Sequence, residues 1–226
     1  PMQVYNSLQV SAEKECLKQI RHFIIGGGAI DSTLATELAS FPYAVWSTYG
    51  MTETLSHIAL RRLNGPDASD WYTPFQGVKV SLSPENTLTI EAPAVCAEKL
   101  TTNDICEFNA QGQFHILGRK DNTINTGGVK VQIEQVENAL KTALSVPFMV
   151  TAVPDPKFGE RIVLLLEDEG KTYTVELLNQ ALLKLPAYWR PKQVFHIQKL
   201  PQTETGKPDR ATARKVAKEI AESEKK

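Results

Sequence analysis

No apolar run among these 226 residues approaches the roughly 18 that a membrane-crossing helix needs, so no membrane insertion is expected. Cysteine is nearly as scarce. Cys16, Cys96 and Cys106 are an odd number at wide spacings, with no CxxC pair, which excludes a disulfide framework or a zinc knuckle as the organising device. All three read as small core residues in a reducing, cytoplasmic compartment. The chain opens on Pro1-Met2-Gln3-Val4 without the charged n-region and apolar h-region of a secretory signal, a start that also suits a position inside a longer protein. Excess charge of either sign is missing too, with 25 Lys+Arg against 26 Asp+Glu. Residues 1–121 hold 9 basic and 13 acidic side chains and residues 122–226 hold 16 and 13, a mild basic bias that falls far short of a nucleic-acid footprint.

What is present is an ordinary soluble composition, long enough for one or two cores. Ser11 reads as the N-cap of a helix with Cys16, Leu17 and Ile20 on its apolar stripe. His22–Ile25 reads as a short buried strand stopped by Gly26-Gly27-Gly28. Asp31 or Ser32 caps a helix with Leu34, Ala35 and Leu38 on one face, Pro42 closes it, and a second strand runs from Tyr43 to Ser47. Strand, helix and strand within about thirty residues make a βαβ unit, hence parallel strands with a right-handed crossover. The loops after both strands, GGG and YGMTET, then lie on one edge of the sheet, where open α/β sheets bind ligands. Tyr49 offers a flat face, Thr52 a hydroxyl and Glu53 a hard carboxylate suited to Mg²⁺.

Residues 60–70 read as a polar loop that ends this sheet. The period then changes to two. Val78–Leu82 and Leu88–Glu91 flank the turn Ser83–Asn86, and Ile105–Phe108 pairs with Gln113–Leu117 across Asn109–Gly112, with Asp104 at the start of that second hairpin. The stretch Gly118–Gly128, GRKDNTINTGG, suits either a hinge carrying a ligand contact or a hairpin with a salt-bridged Arg. Beyond it, Ile133, Val136, Leu140 and Leu144 form a helix face, Phe148–Val153 and Ile162–Leu166 two strands around the turn Pro154-Asp155-Pro156, and Gln193–Ile197 a third. Thr174 caps a helix ended by Pro186, and a last charged helix from Ala211 turns Ala213, Val216 and Ile220 inward. Between them sits Pro201-Gln202-Thr203-Glu204-Thr205-Gly206-Lys207, with Lys207 expected at the loop tip. The division expected is therefore 1–117, with 71–117 a small antiparallel β subdomain, a hinge at 118–122, and a compact α+β unit at 123–226.

GGGAI, YGMTET, the Asp104 position, GRKD with its following GG, and PQTETGK, in this order, resemble the adenylate-forming superfamily of acyl-CoA ligases, peptide-synthetase adenylation domains and luciferases. The extension Thr52–Ile58 looks most like that of the 2-succinylbenzoate:CoA ligases of menaquinone biosynthesis. The resemblance implies the C-terminal part of such a fold, an α/β body followed by a small mobile lid domain. It also implies a carboxylic-acid substrate, ATP, Mg²⁺ and coenzyme A. Gly27, Gly28, Ala29, Tyr49, Thr52, Asp104 and Arg119 would contact the nucleotide, and Glu53 the metal. Gly50, Met51, Ser56 and His57 would border the acyl group, and Gly127 and Gly128 the coenzyme A arm. Asp121 would be the pivot, and Lys207, with Thr52, would serve the adenylation step. The superfamily's Ser/Thr/Gly-rich phosphate loop is absent, Asn103 replaces the usual Gly before Asp104, and Val129-Lys130 replaces the common Glu-Asn. These departures leave open activation of another acid, loading of a carrier protein, and a non-catalytic nucleotide-binding module, and they predict that this chain is inactive by itself. His22, His115 and His196 fall in predicted strands and read as structural.

Overall fold

The computed structural model describes residues 1–30, 32–141, 143–144, 146–167, 175–204 and 206–224, with backbone only at 32 and 175–177. The chain forms two compact units, Pro1–Leu117 and Gly118–Lys226.

The first unit begins with two short helices, α1 (Met2–Leu8) and α2 (Ser11–Leu17). Ser11 is the first helical residue rather than the cap; Val10 holds the cap position, where it has no oxygen to offer. The stripe expected on α2 is not formed, because the helix ends at Leu17, Cys16 is exposed and Ile20 is 40% exposed. Strands β1 (His22–Ile25) and β2 (Ala44–Gly50) flank α3 (Ser32–Ala39) and pair in parallel, from His22 opposite Ala44 to Ile25 opposite Ser47. Only Ile25 of β1 is buried, since this strand forms an edge. Leu34 and Leu38 of α3 pack with Leu8, Ile25, Phe41 and Val45. The expected cap Asp31 lies outside the described residues, as does the side chain of Ser32.

β2 extends past Ser47, so Tyr49 and Gly50 belong to the strand and not to the loop. The polar loop expected from residue 60 is also corrected. β3 (His57–Arg62) returns antiparallel along β2, followed by the short β4 (Thr73–Pro74). Ile58 and Ala59 carry the buried face of β3 among polar neighbours that mask it in the sequence. Asn64 explains why the chain leaves the sheet there. Its amide donates to the carbonyls of Phe41 and Tyr43 at 2.9 and 2.7 Å, and its oxygen accepts from Val45 N–H and Arg62 Nε, each at 2.9 Å.

The second sheet of this unit has the order β5 (Lys79–Leu82), β6 (Thr87–Ala92), β7 (Cys96–Phe108), β8 (Phe114–Arg119). Both expected hairpins form. β7 starts much earlier than Ile105, however, so Asp104 sits inside a strand and not at a hairpin's beginning. Reciprocal backbone hydrogen bonds between Tyr72 and Phe114, at 2.7 and 3.1 Å, join this sheet to the first.

In the second unit the hairpin β9 (Thr123–Thr126) and β10 (Val129–Gln132) leads into α4 (Ile133–Lys141). β11 (Phe148–Asp155) and β12 (Gly159–Glu167) form a hairpin whose turn is tighter than expected, with Asp155 already opposite Gly159. Pro154 and Asp155 therefore belong to the strand. Helix α5 (Val175–Leu183) precedes β13 (Gln193–Ile197), which pairs parallel to β12. The expected cap Thr174 lies outside the described residues. Both faces of β11 and β12 are covered: Val150, Ala152, Ile162, Leu164 and Leu166 face α4 and α5, while Met149, Val153, Val163 and Leu165 face α6 (Arg210–Ser223). Burial on both faces makes IVLLL a continuous apolar run instead of an alternating one. On α6 the buried stripe is Ala213, Ala217 and Ala221, with Ile220 packed beside it; Val216 is only half-buried. Small side chains at i, i+4, i+8 let this helix lie close to the sheet.

Two interactions fix the start of α6. Asp209 caps it, accepting from Thr212 N–H at 3.0 Å, and this holds its carboxyl below the usual range. Arg210 donates both guanidinium arms to Glu137 of α4, at 2.9 and 2.8 Å, while Glu137 also accepts from Val150 N–H at 2.9 Å. Removing one partner of such a largely buried pair strands the other. Glu137→Ala is therefore expected to destabilise the second unit by about 3 kcal/mol, read as a drop in its urea midpoint. Lys218→Ala, which deletes an exposed i,i+4 pair with Glu222, shifts it by less than about 0.5 kcal/mol.

Candidate active site

The carboxyl ends of β1 and β2 lie side by side, so the loops that leave them share one edge of the first sheet. Gly26 is packed hard against this neighbour, because a Cβ there would sit 2.8 Å from Thr48 Oγ1. Gly27 has φ +82, a conformation that only glycine adopts without strain. Gly27, Gly28 and Ala29 are all exposed at this edge.

Beside them β2 ends in a turn held from within. Gly50 pairs with His57 after a bulge, and a Cβ on it would fall 2.2 Å from Ser56 O and 2.7 Å from His57 Cα. Only glycine fits. Residues Thr52–Thr54 then form one turn of 3-10 helix, and Leu55 is left-handed, with φ 58. Thr54, fully buried, closes the turn through its hydroxyl: Met51 N–H donates to it at 3.1 Å, and it contacts Met51 O and Ser56 O at 3.0 and 2.8 Å. Sequence reading passed over Thr54, though a Thr two residues before a Ser in a turn is a recognisable local-bonding signal. Its burial turns Thr52 and Glu53 outward, where both are exposed. Ser56 Oγ and His57 Nδ1 lie 3.1 Å apart on the surface, with the His57 ring edge-on to Phe75 at 5.7 Å. Met51 packs on the core of the second sheet.

Tyr49 and Asp104, 55 residues apart, are brought together. The Tyr49 hydroxyl donates to Asp104 Oδ2 at 2.5 Å, and its ring meets Phe114 and Tyr72 edge-on at 5.2 and 5.9 Å. Asp104 N–H donates to Thr102 Oγ1 at 3.0 Å. Burial, then the Asp104 charge, pushes the Tyr49 phenol far above its ordinary range. Burial, with Asp104 and Glu107 adding to it, pushes the neighbouring Cys106 thiol up to about 12, so this buried thiol is chemically inert.

The remaining site residues lie in the second unit. Arg119 and Asp121 form an exposed ion pair at 3.2 Å, with Asp121 in a 3-10 turn, Lys120–Asn122, that Asn122 ties to Glu134 of α4 at 2.5 Å. Gly127 and Gly128, φ +58 and +82, make the tip of the β9–β10 hairpin, while Arg119 and its ion pair stand ahead of that hairpin, at the end of β8 and in the following 3-10 turn. Gly127 N–H donates to Phe158 O at 2.9 Å, and the Phe158 ring lies 3.2 Å from where a Gly127 Cβ would be. Lys207 is exposed, but it stands on the return leg of its turn and not at the tip. Thr203 N–H donates to Lys207 O at 2.8 Å, Lys207 N–H to Thr203 Oγ1 at 3.1 Å, and Gln202 bridges Pro208. Thr205 of this loop lies outside the described residues.

No cluster of three His, Cys, Asp or Glu able to hold a metal occurs among the described residues. Glu53 is a single exposed carboxylate beside the exposed Thr52 hydroxyl. That donor set fits Mg²⁺, which takes one or two carboxylates and completes its shell with water and phosphate oxygens.

This architecture is that of the adenylate-forming enzymes, and the homologues and structural neighbours of the chain are AMP-forming acyl-CoA ligases, of which it spans the C-terminal portion. Among them, the 3-oxocholest-4-en-26-oate–CoA ligase of Rhodococcus rhodochrous is 38% identical over 109 residues, 47% of this chain and 20% of that protein. The 2-succinylbenzoate–CoA ligase of Lactococcus lactis is 24% identical over 213 residues, 87% of this chain and 47% of that protein. ATP-bound MatB from Rhodopseudomonas palustris superposes with a TM-score of 0.80 at 24% identity, covering 96% of this chain and 50% of that one. The chain thus spans about half the length, or less, of the relatives it matches. No family model matches it.

Two outcomes follow from this geometry. Gly50→Ala is expected to destabilise the first unit by about 3 kcal/mol, because the clash is with backbone that cannot swing away; urea unfolding measures it. The raised Tyr49 phenol contributes stability that is complete below about pH 10, where an unfolded tyrosine is still protonated. That contribution is lost as pH rises toward the folded-state value, because only the unfolded chain releases the proton. Alkaline unfolding curves of Tyr49→Phe should therefore fall less steeply above that pH than those of the parent.

Proposed function

We propose that this chain is the C-terminal part of an ATP-dependent acid:CoA ligase that works through an acyl-adenylate. The observation that carries the reading is the shared edge. An exposed glycine loop, an outward Thr52-Glu53 turn and the bonded pair Tyr49–Asp104 converge on one unit built as in AMP-forming ligases. A substrate carboxylate attacks the α-phosphate of ATP, the bond to the β-phosphate oxygen breaks, and pyrophosphate leaves. The sulfur of coenzyme A then attacks the acyl carbon, and AMP leaves with the bonding pair.

In this reading Gly27, Gly28 and Ala29 border the adenine and Tyr49 packs against it, while Asp104 and Arg119 hold the ribose diol. Thr52 contacts the α-phosphate. Glu53 would hold Mg²⁺, whose role when bound is to neutralise phosphate charge. Gly50, Met51, Ser56 and His57 border the acyl group, and Gly127 and Gly128 the pantetheine arm. Lys207 stabilises negative charge in the adenylation step, and Asp121 serves as the pivot of the second unit, starting from a hinge at 118–122. In this reading the enzyme is cytoplasmic.

For the acid we propose 2-succinylbenzoate, supported by the extension Thr52–Ile58 and by the Lactococcus relative, which matches along 87% of the chain. A second reading, another carboxylic acid, has its own support in the higher identity, 38%, to a ligase named for a steroid acid. ATP–pyrophosphate exchange by the full-length protein, without coenzyme A, separates them. The expected result is exchange with 2-succinylbenzoate and little with benzoate, a medium-chain fatty acid or 3-oxocholest-4-en-26-oate. Lys207→Ala should lower it by roughly 10²–10³-fold. Exchange that prefers a different acid contradicts the substrate, and exchange untouched by Lys207→Ala contradicts the mechanism.

A further inference from the structure

We propose that Tyr49 is a positioning residue for the ribose, its hydroxyl setting the orientation in which Asp104 meets the sugar diol. The inference rests on the nucleotide reading above and adds to it a role for the phenol oxygen, as distinct from the ring. A terminal carboxylate turns about a broad, soft torsion, so an Asp left to itself presents its oxygens over a wide range of directions. Here that freedom is removed. The 2.5 Å bond from the Tyr49 hydroxyl to Oδ2 is of the short, charge-assisted kind, roughly twice as strong as one between neutral groups.

The donor itself is fixed. Tyr49 belongs to β2 of the first sheet, opposite Ala59 of β3, and its ring is wedged edge-on against Phe114 and Tyr72, which stack on each other with centroids 5.5 Å apart. Phe114 is fully buried, and Tyr72 is pinned by a 2.8 Å hydrogen bond to Ser47. On the acceptor side, the Asp104 backbone is held by Thr102 within β7 of the other sheet. One bond therefore transmits the position of the first sheet's ligand edge to a carboxylate on the second. A carboxylate has about four lone-pair sites, so holding the phenol does not exhaust its capacity for a diol. A phenol is protonated at neutral pH whatever its surroundings here, so the Tyr49 hydroxyl is the donor and the carboxylate the acceptor.

The test compares AMP with 2′,3′-dideoxy-AMP, which lacks the diol, by titration calorimetry on the full-length protein. Tyr49→Phe keeps the ring and its aromatic contacts and removes only the donor; an unchanged far-ultraviolet spectrum confirms folding. The expected result is AMP binding weakened by about tenfold, the scale of one hydrogen bond to a charged group, with 2′,3′-dideoxy-AMP affected less than about twofold. In an Asp104→Ala background, Tyr49→Phe should then cost nothing further for AMP. Equal weakening of both nucleotides, or of neither, overturns the inference while leaving the nucleotide reading standing. A parent protein that binds no AMP overturns that reading, and this inference with it.

Discussion

The first unit depends on a missing side chain. At Gly50 the backbone of residues 56 and 57 comes so near that a methyl group would lie 2.2 Å from a carbonyl oxygen. This approach lets β3 fold back along β2 immediately after the six-residue turn 51–56, and the rest of the site follows from that reversal. Met51 is drawn onto the core, Thr54 is buried as the internal clasp, and Thr52 and Glu53 have nowhere to point but outward. Tyr49, one residue before the constraint, is held in the strand and so reaches Asp104 across the two sheets. A wider turn would leave these residues in the same order in the chain without placing them.

The second unit solves a different problem, which is to hold an exposed lysine on a loop of few residues. The Lys207 side chain is exposed, and the loop is shaped by backbone closure. The order comes from both flanks: the Thr203–Lys207 backbone closure on one side, and on the other a helix whose first residues are locked by Asp209 and by the Arg210–Glu137 pair. A two-armed guanidinium grip gives orientation as well as attraction, which a lysine at the same position would not. The charge assigned to catalysis is thus mounted on a structural charge pair three residues away.

Elements whose pattern is set by their own residues were legible in the sequence. The βαβ unit, the two hairpins of the β subdomain, the strand Gln193–Ile197 and the glycines that need positive φ all follow from local periodicity and backbone chemistry. Tertiary demands that no local pattern carries were not legible. β3 presents Ile58 and Ala59 among charged and polar neighbours, and its pairing is decided by Gly50 and Asn64, so it read as a loop. Asp104 read as a turn residue because the long edge of β7 is polar, and only the fold shows it beside Tyr49. Of the inward residues expected on α6, Ala213 is buried and Ile220 packs beside the core, whereas Val216 is half-buried and the stripe continues through Ala217 and Ala221, whose small side chains allow close packing. For the connector, the sequence held both a hinge and a hairpin open; a hairpin forms around Gly127-Gly128, with Arg119 and its ion pair ahead of it.

The central claim is that the glycine loop, the Gly50 turn and the Asp104 strand are parts of one acyl-adenylate site. Amide hydrogen exchange of the full-length protein, with and without a hydrolysis-resistant acyl-adenylate, tests it most directly. The account predicts slowed exchange in 26–29, 50–56 and 102–106 together, on addition of the analogue. Protection confined to other segments, or the analogue bound with these three unchanged, would contradict it.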